Sequence, residues 1–196
     1  KKLYISRMVP MSGMMTGSVS TIIQEIDYSD STTMVAINEY AINSPAPHAL
    51  SINKAGNEIY TASNTADWLY KISPDSNRID GVVMDLEQGN YPDNEVKRLK
   101  PIQCLSVEPN LLFVTCSAGK AYNSFTGKND TIPGQVQLWN STTMSLIDTA
   151  QFSWKSTPWH IVHSPIEERV FVVLSGDNIY AGTAGVVCLS YNGNKL

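Results

Sequence analysis

Methionine is concentrated near the start of the chain. The segment RMVPMSGMMTG contains Met8, Met11, Met14 and Met15. Thioethers are soft donors that suit Cu(I), and they also form adaptable apolar contacts with protein partners. A third interpretation is a loop packed on a neighbouring structural element. We therefore treat the four methionines as candidate partner-binding residues, and Met11, Met14 and Met15 also as weak candidate metal ligands.

Polar and aromatic side chains follow three prolines, each of which opens an alternating apolar stretch. These side chains are His48, Gln103, Trp159 and His160. Imidazole nitrogens at such positions could ligate a metal or a haem iron, or hold an anionic ligand. The alternative is that the four side chains only pack between structural units. They are candidate ligand-binding residues, with His48 and His160 as weak candidate metal ligands.

The three cysteines form neither a CxxC nor a CxxCH motif, so we expect no zinc knuckle and no attached c-type haem. The turn over residues 108–112 predicts that Cys104 lies opposite Cys116, within reach of a disulfide. Such a bridge would indicate an oxidising compartment. The alternative is two small apolar thiols packed side by side. Cys188 is expected to be a buried free thiol.

Several function classes find little support in composition and motifs. The net charge is -4 and the pI is about 5.3, so no basic stripe is present to bind nucleic acid. No apolar run reaches the roughly 18 residues of a membrane-spanning helix. Neither G-x-S-x-G, H-E-x-x-H nor a P-loop occurs, and the pair Glu167-Glu168 is expected in a solvated turn. We assign no catalytic residue, and an enzyme is not the favoured interpretation.

An internal repeat places these residues on structural elements. PHALSINKAGNEIYTASN (47–64), PIQCLSVEPNLLFVTC (101–116) and PWHIVHSPIEERVFVV (158–173) align with one another. Each copy is an alternating strand, a turn and a second strand, and two more strands follow. Four short antiparallel strands per unit are typical of a β-propeller blade. The sequence therefore predicts an all-β propeller fragment of about three and a half blades, with units near 1–46, 47–100, 101–157 and 158–196.

The repeat resembles the YVTN-type β-propeller repeat. The matching pieces are PHAL, INKAG and IYTASN, then EPN and LFVTCSAG, then PWHIVHSPIEERVFVV. The second copy lacks the histidine of the motif, and the third has Trp159 in its place. The resemblance implies a secreted or periplasmic propeller, and hence a location in the periplasm, outside the cell or at the cell surface. It specifies the fold far more than the function, because propellers carry many activities.

Loop lengths indicate where binding residues would concentrate. The blades of a propeller surround a central channel, and the strands of each blade are called a to d from this channel outward. The long connections then fall at one end of the blades. They are residues 7–17, 117–134 and 175–182 between strands b and c, and residues 87–100 between strands d and a. Long loops on a rigid scaffold commonly carry binding residues. Tyr122 and Phe125 lie in one of them and are candidate partner-binding residues.

Three functional hypotheses follow. The first is a non-catalytic extracytoplasmic interaction module, a subunit of a larger assembly in a membrane complex or at the cell surface, with no cofactor of its own. Its partner would be another protein or the remaining blades, because an arc this short leaves two blade faces uncovered. The second is a redox-associated propeller, which either binds copper itself or lies beside a cytochrome module, with copper or a haem in parts beyond this chain. The third is a lactonase-like hydrolase, which would need carboxylates at the channel mouth.

Overall fold

The computed structural model describes residues 1–7, 21–30, 32–42, 44, 46–84, 99–123, 126–177, 182–193 and 195–196. Strands dominate them, and each of the four main sheets is antiparallel throughout. Sheet 1 contains β1 (Lys2–Arg7), β2 (Thr21–Asp30) and β3 (Thr33–Ile42) in that spatial order. Sheet 2 contains β4 (Pro47–Ile52), β5 (Ile59–Ser63), β6 (Trp68–Ser73) and β7 (Arg78–Val83), with a 3-10 turn at Pro74–Ser76.

Sheets 3 and 4 continue the same pattern. Sheet 3 contains β8 (Pro101–Val107), β9 (Leu111–Cys116), β12 (Gln135–Asn140) and β13 (Ser145–Gln151). A separate hairpin, β10 (Gly119–Asn123) with β11 (Lys128–Ile132), is inserted between β9 and β12. Sheet 4 contains β14 (Pro158–His163), β15 (Arg169–Leu174) and β16 (Gly185–Ser190). In sheets 2 to 4, the first strand after the proline forms one edge of the sheet.

Successive sheets pack face to face, and three apolar clusters fill the spaces between them. Ile23, Tyr40 and Ile42 of sheet 1 meet residues of sheet 2 such as Ile59 and Ile72. A second cluster lies between sheets 2 and 3, and a third between sheets 3 and 4. Because both faces of an internal sheet are covered, β5 (IYTAS) and β9 (LLFVTC) are buried at every residue.

The edge strands β4, β8 and β14 lie side by side. Stacked four-stranded antiparallel sheets with their first strands together form the blade arrangement of a β-propeller. The predicted fold class is therefore confirmed, and the chain is an arc of such a propeller. Within the described part of the chain, no helix is long and apolar enough to cross a membrane.

The predicted pairing of Cys104 with Cys116 is wrong, and the structure agrees with the alternative of two thiols packed in the apolar core. The β8–β9 turn is centred on Pro109 rather than on Asn110 as expected, so Cys104 lies opposite Val114 while Cys116 lies opposite Pro101. Both cysteines are buried, and they form no disulfide. They still share one face of the sheet, since side chains alternate with a period of two, and both pack into the cluster between sheets 2 and 3. Burial raises the pKa of the Cys104 thiol.

The expectation for Cys188 is also wrong, because this thiol is exposed. Cys188 lies on β16 opposite Phe171 of β15. The Cys188 side chain lies on the face of sheet 4 that points away from sheet 3. The opposite face of sheet 4 packs on sheet 3 through Val170 and Val172. Exposure of the thiol therefore follows from the position of sheet 4 at the edge of the described arc.

Candidate functional site

The β10–β11 hairpin is the most prominent described feature at the b–c end of the blades. The sequence predicted a long loop over residues 117–134, whereas β10 and β11 pair from Gly119–Ile132 to Asn123–Lys128. Gly127 has φ +63°, so it accommodates the left-handed turn between the strands without a Cβ clash. The Tyr122 side chain is 62% exposed on this hairpin. It is the one predicted partner-binding residue that the structure describes.

The base of the hairpin is fixed by charged and aromatic contacts. Lys100 Nζ donates a 2.9 Å hydrogen bond to the carbonyl oxygen of Lys120. The ammonium of Lys120 lies 5.3 Å from the centre of the Trp154 ring, and that of Lys155 lies 5.1 Å from the same ring. Cation–π contacts of this kind are each worth about 0.5–1 kcal/mol at exposed sites. The hairpin is therefore tied to the connection that precedes β14.

The first strands of sheets 2 and 4 bring His48 and Trp159 together. The two rings are in edge-to-face contact with centroids 6.0 Å apart. His48 Nδ1 lies 2.8 Å from the carbonyl oxygen of Ile102 on β8, so the imidazole is held by the intervening sheet. Trp159 is 44% exposed and His160 is also exposed. Among the described residues, the His160 side chain has no hydrogen-bond partner.

Gln103 has a structural role at the contact between sheets 3 and 4. Its Oε1 accepts a 2.9 Å bond from the Ile161 amide, and its Nε2 donates to the Ile161 carbonyl at 3.3 Å. The Gln103 amide donates to Thr115 Oγ1, and that hydroxyl donates to the Trp159 carbonyl. Both atoms of the Gln103 carboxamide are thus engaged with the next sheet. The fully buried Thr115 was missed by sequence reasoning, although a threonine inside the apolar strand LLFVTC is a recognisable signal.

Two charged side chains that join sheets 2 and 3 were also missed. The buried Asp67 carboxylate accepts the amide hydrogens of Leu99 and Lys100, each at 2.9 Å. Lys71 Nζ donates to the carbonyls of Ser141 and Thr142 at 3.3 and 3.1 Å. Asp67 therefore anchors the link that enters β8, and Lys71 anchors the β12–β13 turn. Neither residue belongs to a motif that sequence alone would have selected.

Glu25 is a buried carboxylate between sheets 1 and 2. It forms a 2.8 Å ion pair with Lys2 Nζ and accepts hydrogen bonds from the hydroxyls of Tyr40 and Tyr4. Burial by itself raises the pKa of Glu25, but the hydrogen bonds from Lys2 and Tyr40 outweigh it and hold the pKa below its ordinary value. Burial and the Glu25 contact raise the pKa of Tyr40. Sheet packing therefore encloses the Glu25 carboxylate, while its partner Lys2 remains about half exposed.

The opposite, a–b end of the blades has shorter turns and two shallow clefts. A cleft of about 280 Å³ between sheets 3 and 4 is lined by residues that include Glu108, Glu168 and Ile166. At its wall, His163 Nε2 and the Tyr191 hydroxyl share a 2.7 Å hydrogen bond. A polar cleft of about 310 Å³ lies between sheets 2 and 3. Ile166 is 91% exposed at the tip of the β14–β15 turn.

Some of the predicted site residues lie outside the described residues. These are Met8, Met11, Met14, Met15 and Phe125. Among the residues that are described, no group of three or more His, Cys, Asp or Glu side chains is placed to hold a metal ion. The described site therefore consists of the exposed hairpin with Tyr122 and of His48, Trp159 and His160 near the start of β4 and β14, which we call the channel rim.

Comparison with known proteins supports the fold. No protein-family model matches the chain, and no curated protein matches it. Among solved structures, Kuenenia stuttgartiensis hydrazine synthase matches with a TM-score of 0.60 at 13% identity, covering 90% of this chain and 44% of that one. A protein from Lactobacillus plantarum matches with a TM-score of 0.62 at 15% identity, covering 96% and 52%. Dihydro-heme d1 dehydrogenase NirN in complex with DHE matches with a TM-score of 0.55 at 6% identity, covering 100% and 36%.

These matches share the β-propeller fold with this chain, and identities this low carry no functional assignment. The chain spans about half of the length of the hydrazine synthase and L. plantarum chains. The class of protein that fold and comparison define is thus a β-propeller, represented here by an arc of its ring.

Proposed function

We propose that this chain is a non-catalytic interaction module within an extracytoplasmic β-propeller, and that it binds a protein partner through the b–c end of its blades. The observation that carries this proposal is the β10–β11 hairpin, which presents Tyr122 above a rigid stack of sheets. The resemblance to the YVTN-type repeat supports a location in the periplasm, outside the cell or at its surface. The module would be a subunit of a larger assembly.

Tyr122 has the properties of an interface anchor. Tyrosine offers a large amphipathic surface with few rotatable bonds, and such residues are enriched at binding hot spots. The contacts of Lys100, Lys120 and Trp154 hold the base of the hairpin, so little conformational entropy would be lost on binding. Met8, Met11, Met14, Met15 and Phe125 belong to the proposed surface through their positions in the b–c connections.

Replacing Tyr122 by alanine is expected to weaken binding of the partner about tenfold or more, without lowering the unfolding temperature. The partner is first captured from the native source by the wild-type protein, and its dissociation constant is then measured by calorimetry. Ile166→Ala is the matched control, because Ile166 is exposed at the other end of the blades. Equal affinities for the wild-type protein and the Tyr122 variant would show that the hairpin is not part of the interface.

A second candidate function is a redox role in which the channel rim holds copper or a haem iron. The observation that favours it is the orientation of His48. Its Nδ1 is engaged by the Ile102 carbonyl, which leaves Nε2 as the ligating atom, and metal-bound histidines commonly have such a backbone partner. His160 would be the second nitrogen donor, and Met11, Met14 and Met15 the thioether donors. The hydrolase hypothesis lacks such support, because β4, β8 and β14 carry no carboxylate.

Substituting alanine for His48 is expected to abolish binding of copper or haem if the rim is a ligand site. Metal content by mass spectrometry and the visible absorption of the purified native protein would report it. His163→Gln is the control, because His163 is hydrogen-bonded to Tyr191 at the other end of sheet 4. A wild-type protein that takes up neither Cu(I) nor haem would refute the redox function and would not affect the proposal of an interaction module.

A further inference from the structure

Positive charge is concentrated around the β10–β11 hairpin, in a chain whose net charge is -4. We call the connections next to the hairpin its base: residues 99–100, 117–118, 133–134 and 152–157. The described residues of the hairpin and its base include one carboxylate, that of Asp130, and four lysines: Lys100, Lys120, Lys128 and Lys155. This region therefore has a net of three positive charges among its described residues, and such a local excess attracts acidic ligands.

Strand pairing separates the charges of the hairpin between its two faces. Lys120 and Tyr122 lie two residues apart on β10, so their side chains share one face, which we call the Lys-Tyr face. The β11 residues opposite them are the uncharged Thr131 and Asn129. Asp130 lies between these two residues and therefore belongs to the other face. The Lys-Tyr face thus combines an ammonium group with an exposed aromatic ring, and its described residues include no carboxylate.

A second ammonium group is fixed where β10 begins. Lys100 Nζ donates to the carbonyl oxygen of Lys120 at 2.9 Å. The backbone of Lys100 is held on both sides, because its amide donates to Asp67 Oδ1 at 2.9 Å and its carbonyl accepts the amide and hydroxyl hydrogens of Ser117, each at 3.1 Å. An ammonium group has three N–H donors, and the described contact uses one of them. Lys100 is therefore positioned in advance to donate to an incoming carboxylate.

The charges of these two lysines are not neutralised within the described part of the chain. Lys120 Nζ lies 5.3 Å from the centre of the Trp154 ring, and neither Lys120 nor Lys100 forms an ion pair with a described carboxylate. The buried Lys71, by contrast, is paired with Glu58. Because like charges held in one region repel each other, a ligand that brings carboxylates to the hairpin base would relieve this repulsion.

We propose that the Lys-Tyr face and Lys100 recognise an extended acidic segment of the protein partner. This inference rests on the interaction module proposed above and specifies the chemistry of its partner. Side chains two positions apart on a strand are about 6.6 Å apart, so an extended segment with a carboxylate two positions from an apolar residue matches Lys120 and Tyr122. Arginine, which binds phosphate through two parallel hydrogen bonds, is absent from the described hairpin region, and this favours a carboxylate ligand over a phosphate surface.

A designed peptide tests this chemistry without the natural partner. A fluorescein-labelled peptide that repeats Glu-Ser-Leu-Ser has each carboxylate two positions from a leucine. We expect it to bind the full-length protein at low salt, with an affinity that falls as salt is added, whereas the same peptide with glutamine in place of glutamate should not bind. Fluorescence anisotropy measures both. Failure of the wild-type protein to distinguish the two peptides would overturn the proposal, and this comparison requires no variant.

Substitutions then locate the site. Lys120→Gln is expected to weaken binding of the acidic peptide about threefold to fivefold, and its combination with Lys100→Gln about tenfold, while Lys120→Arg should restore most of the affinity. Lys54→Gln is the matched control, because Lys54 is an exposed lysine in the β4–β5 turn at the a–b end of the blades. Equal losses for Lys120→Gln and Lys54→Gln would show a general charge effect and would overturn the assignment.

The captured partner separates this inference from the interaction module itself. If Tyr122→Ala weakens partner binding while the double lysine variant does not, the module stands and recognition of an acidic segment is wrong. Equal partner affinities for all of these variants would refute both. Vesicles containing phosphatidylserine are the last comparison. Binding to these vesicles in preference to the acidic peptide, with loss of vesicle binding in Lys120→Gln, would identify a membrane surface as the ligand and overturn the proposal.

Discussion

Replacing Asp67 by alanine is expected to lower the free energy of unfolding by about 3–4 kcal/mol. The Asp67 carboxylate accepts the amide hydrogens of Leu99 and Lys100, and the side chain is completely buried. The variant leaves two amides without their charged acceptor, and it also places alanine at a residue with φ +52°. Urea unfolding followed by tryptophan fluorescence would measure the loss.

Two further substitutions distinguish the effect of losing the Asp67 hydrogen bonds from the effect of losing a negative charge. Asp80→Ala removes an ion pair with the mostly exposed Arg78, so we expect a loss below about 1 kcal/mol. Asp67→Asn keeps one acceptor and a residue that tolerates the left-handed conformation, so its loss should be intermediate. Indistinguishable unfolding curves for Asp67→Ala and Asp80→Ala would contradict the anchoring role of Asp67.

Replacing Glu25 by alanine is the second substitution with a large expected effect, about 2 kcal/mol of unfolding free energy. Lys2 loses its carboxylate partner, and the hydroxyls of Tyr40 and Tyr4 lose their acceptor. Tyr40 is buried in the packing of sheet 1 on sheet 2, where its hydroxyl cannot easily reach water instead. Chemical denaturation at neutral pH measures this loss.

Lowering the pH should weaken the contacts of Glu25 without removing its side chain. The pKa of Glu25 is below its ordinary value of 4.5 in the folded protein, so the carboxylate stabilises the fold at higher pH. That contribution is lost as pH falls below the ordinary pKa and through the lowered one. We expect Glu25→Gln to flatten the fall in stability between about pH 5 and pH 3.

Asp27→Asn is the matched control for the acid experiment. The hydrogen bonds from Ser29 also lower the pKa of Asp27, but this carboxylate lies at the surface and is not enclosed by a neighbouring sheet. Its substitution should change the pH dependence less than Glu25→Gln does. Parallel stability curves for the wild-type protein and the Glu25→Gln variant would show that Glu25 is not the acid-sensitive group.

The fold was predictable because its signals are local. Alternating apolar residues after Pro47, Pro101 and Pro158 specify strands, and the short turns that follow specify antiparallel pairing. Repetition of the unit indicated blades, and the stacked sheets confirm them. Strand boundaries agree with the pattern because each strand has to present its apolar residues to a neighbouring sheet.

Register was less predictable than strand identity. The cysteine prediction required the β8–β9 turn to be placed to the residue, and a turn one position earlier gave Cys104 a valine partner. Several turn positions around Pro109 satisfy the same apolar alternation. The predicted and the observed register differ by two residues, so both leave Phe113 facing sheet 4 and Cys116 facing sheet 2, and burial alone does not choose between them. The hairpin inside the predicted long loop escaped notice because its strands KNDTI and GKAYN are polar.

By itself, the sequence determined the strand pattern, the blade repeat and the end of the blades that carries the long connections. Those features depend on periodicity and turn chemistry within short segments. The tertiary structure alone decided that Gln103 is a clamp between sheets, that His48 meets Trp159, and that Asp67 and Glu25 hold adjacent sheets together. Each of these contacts joins residues from different sheets, and their distances depend on how the blades pack rather than on spacing along the chain.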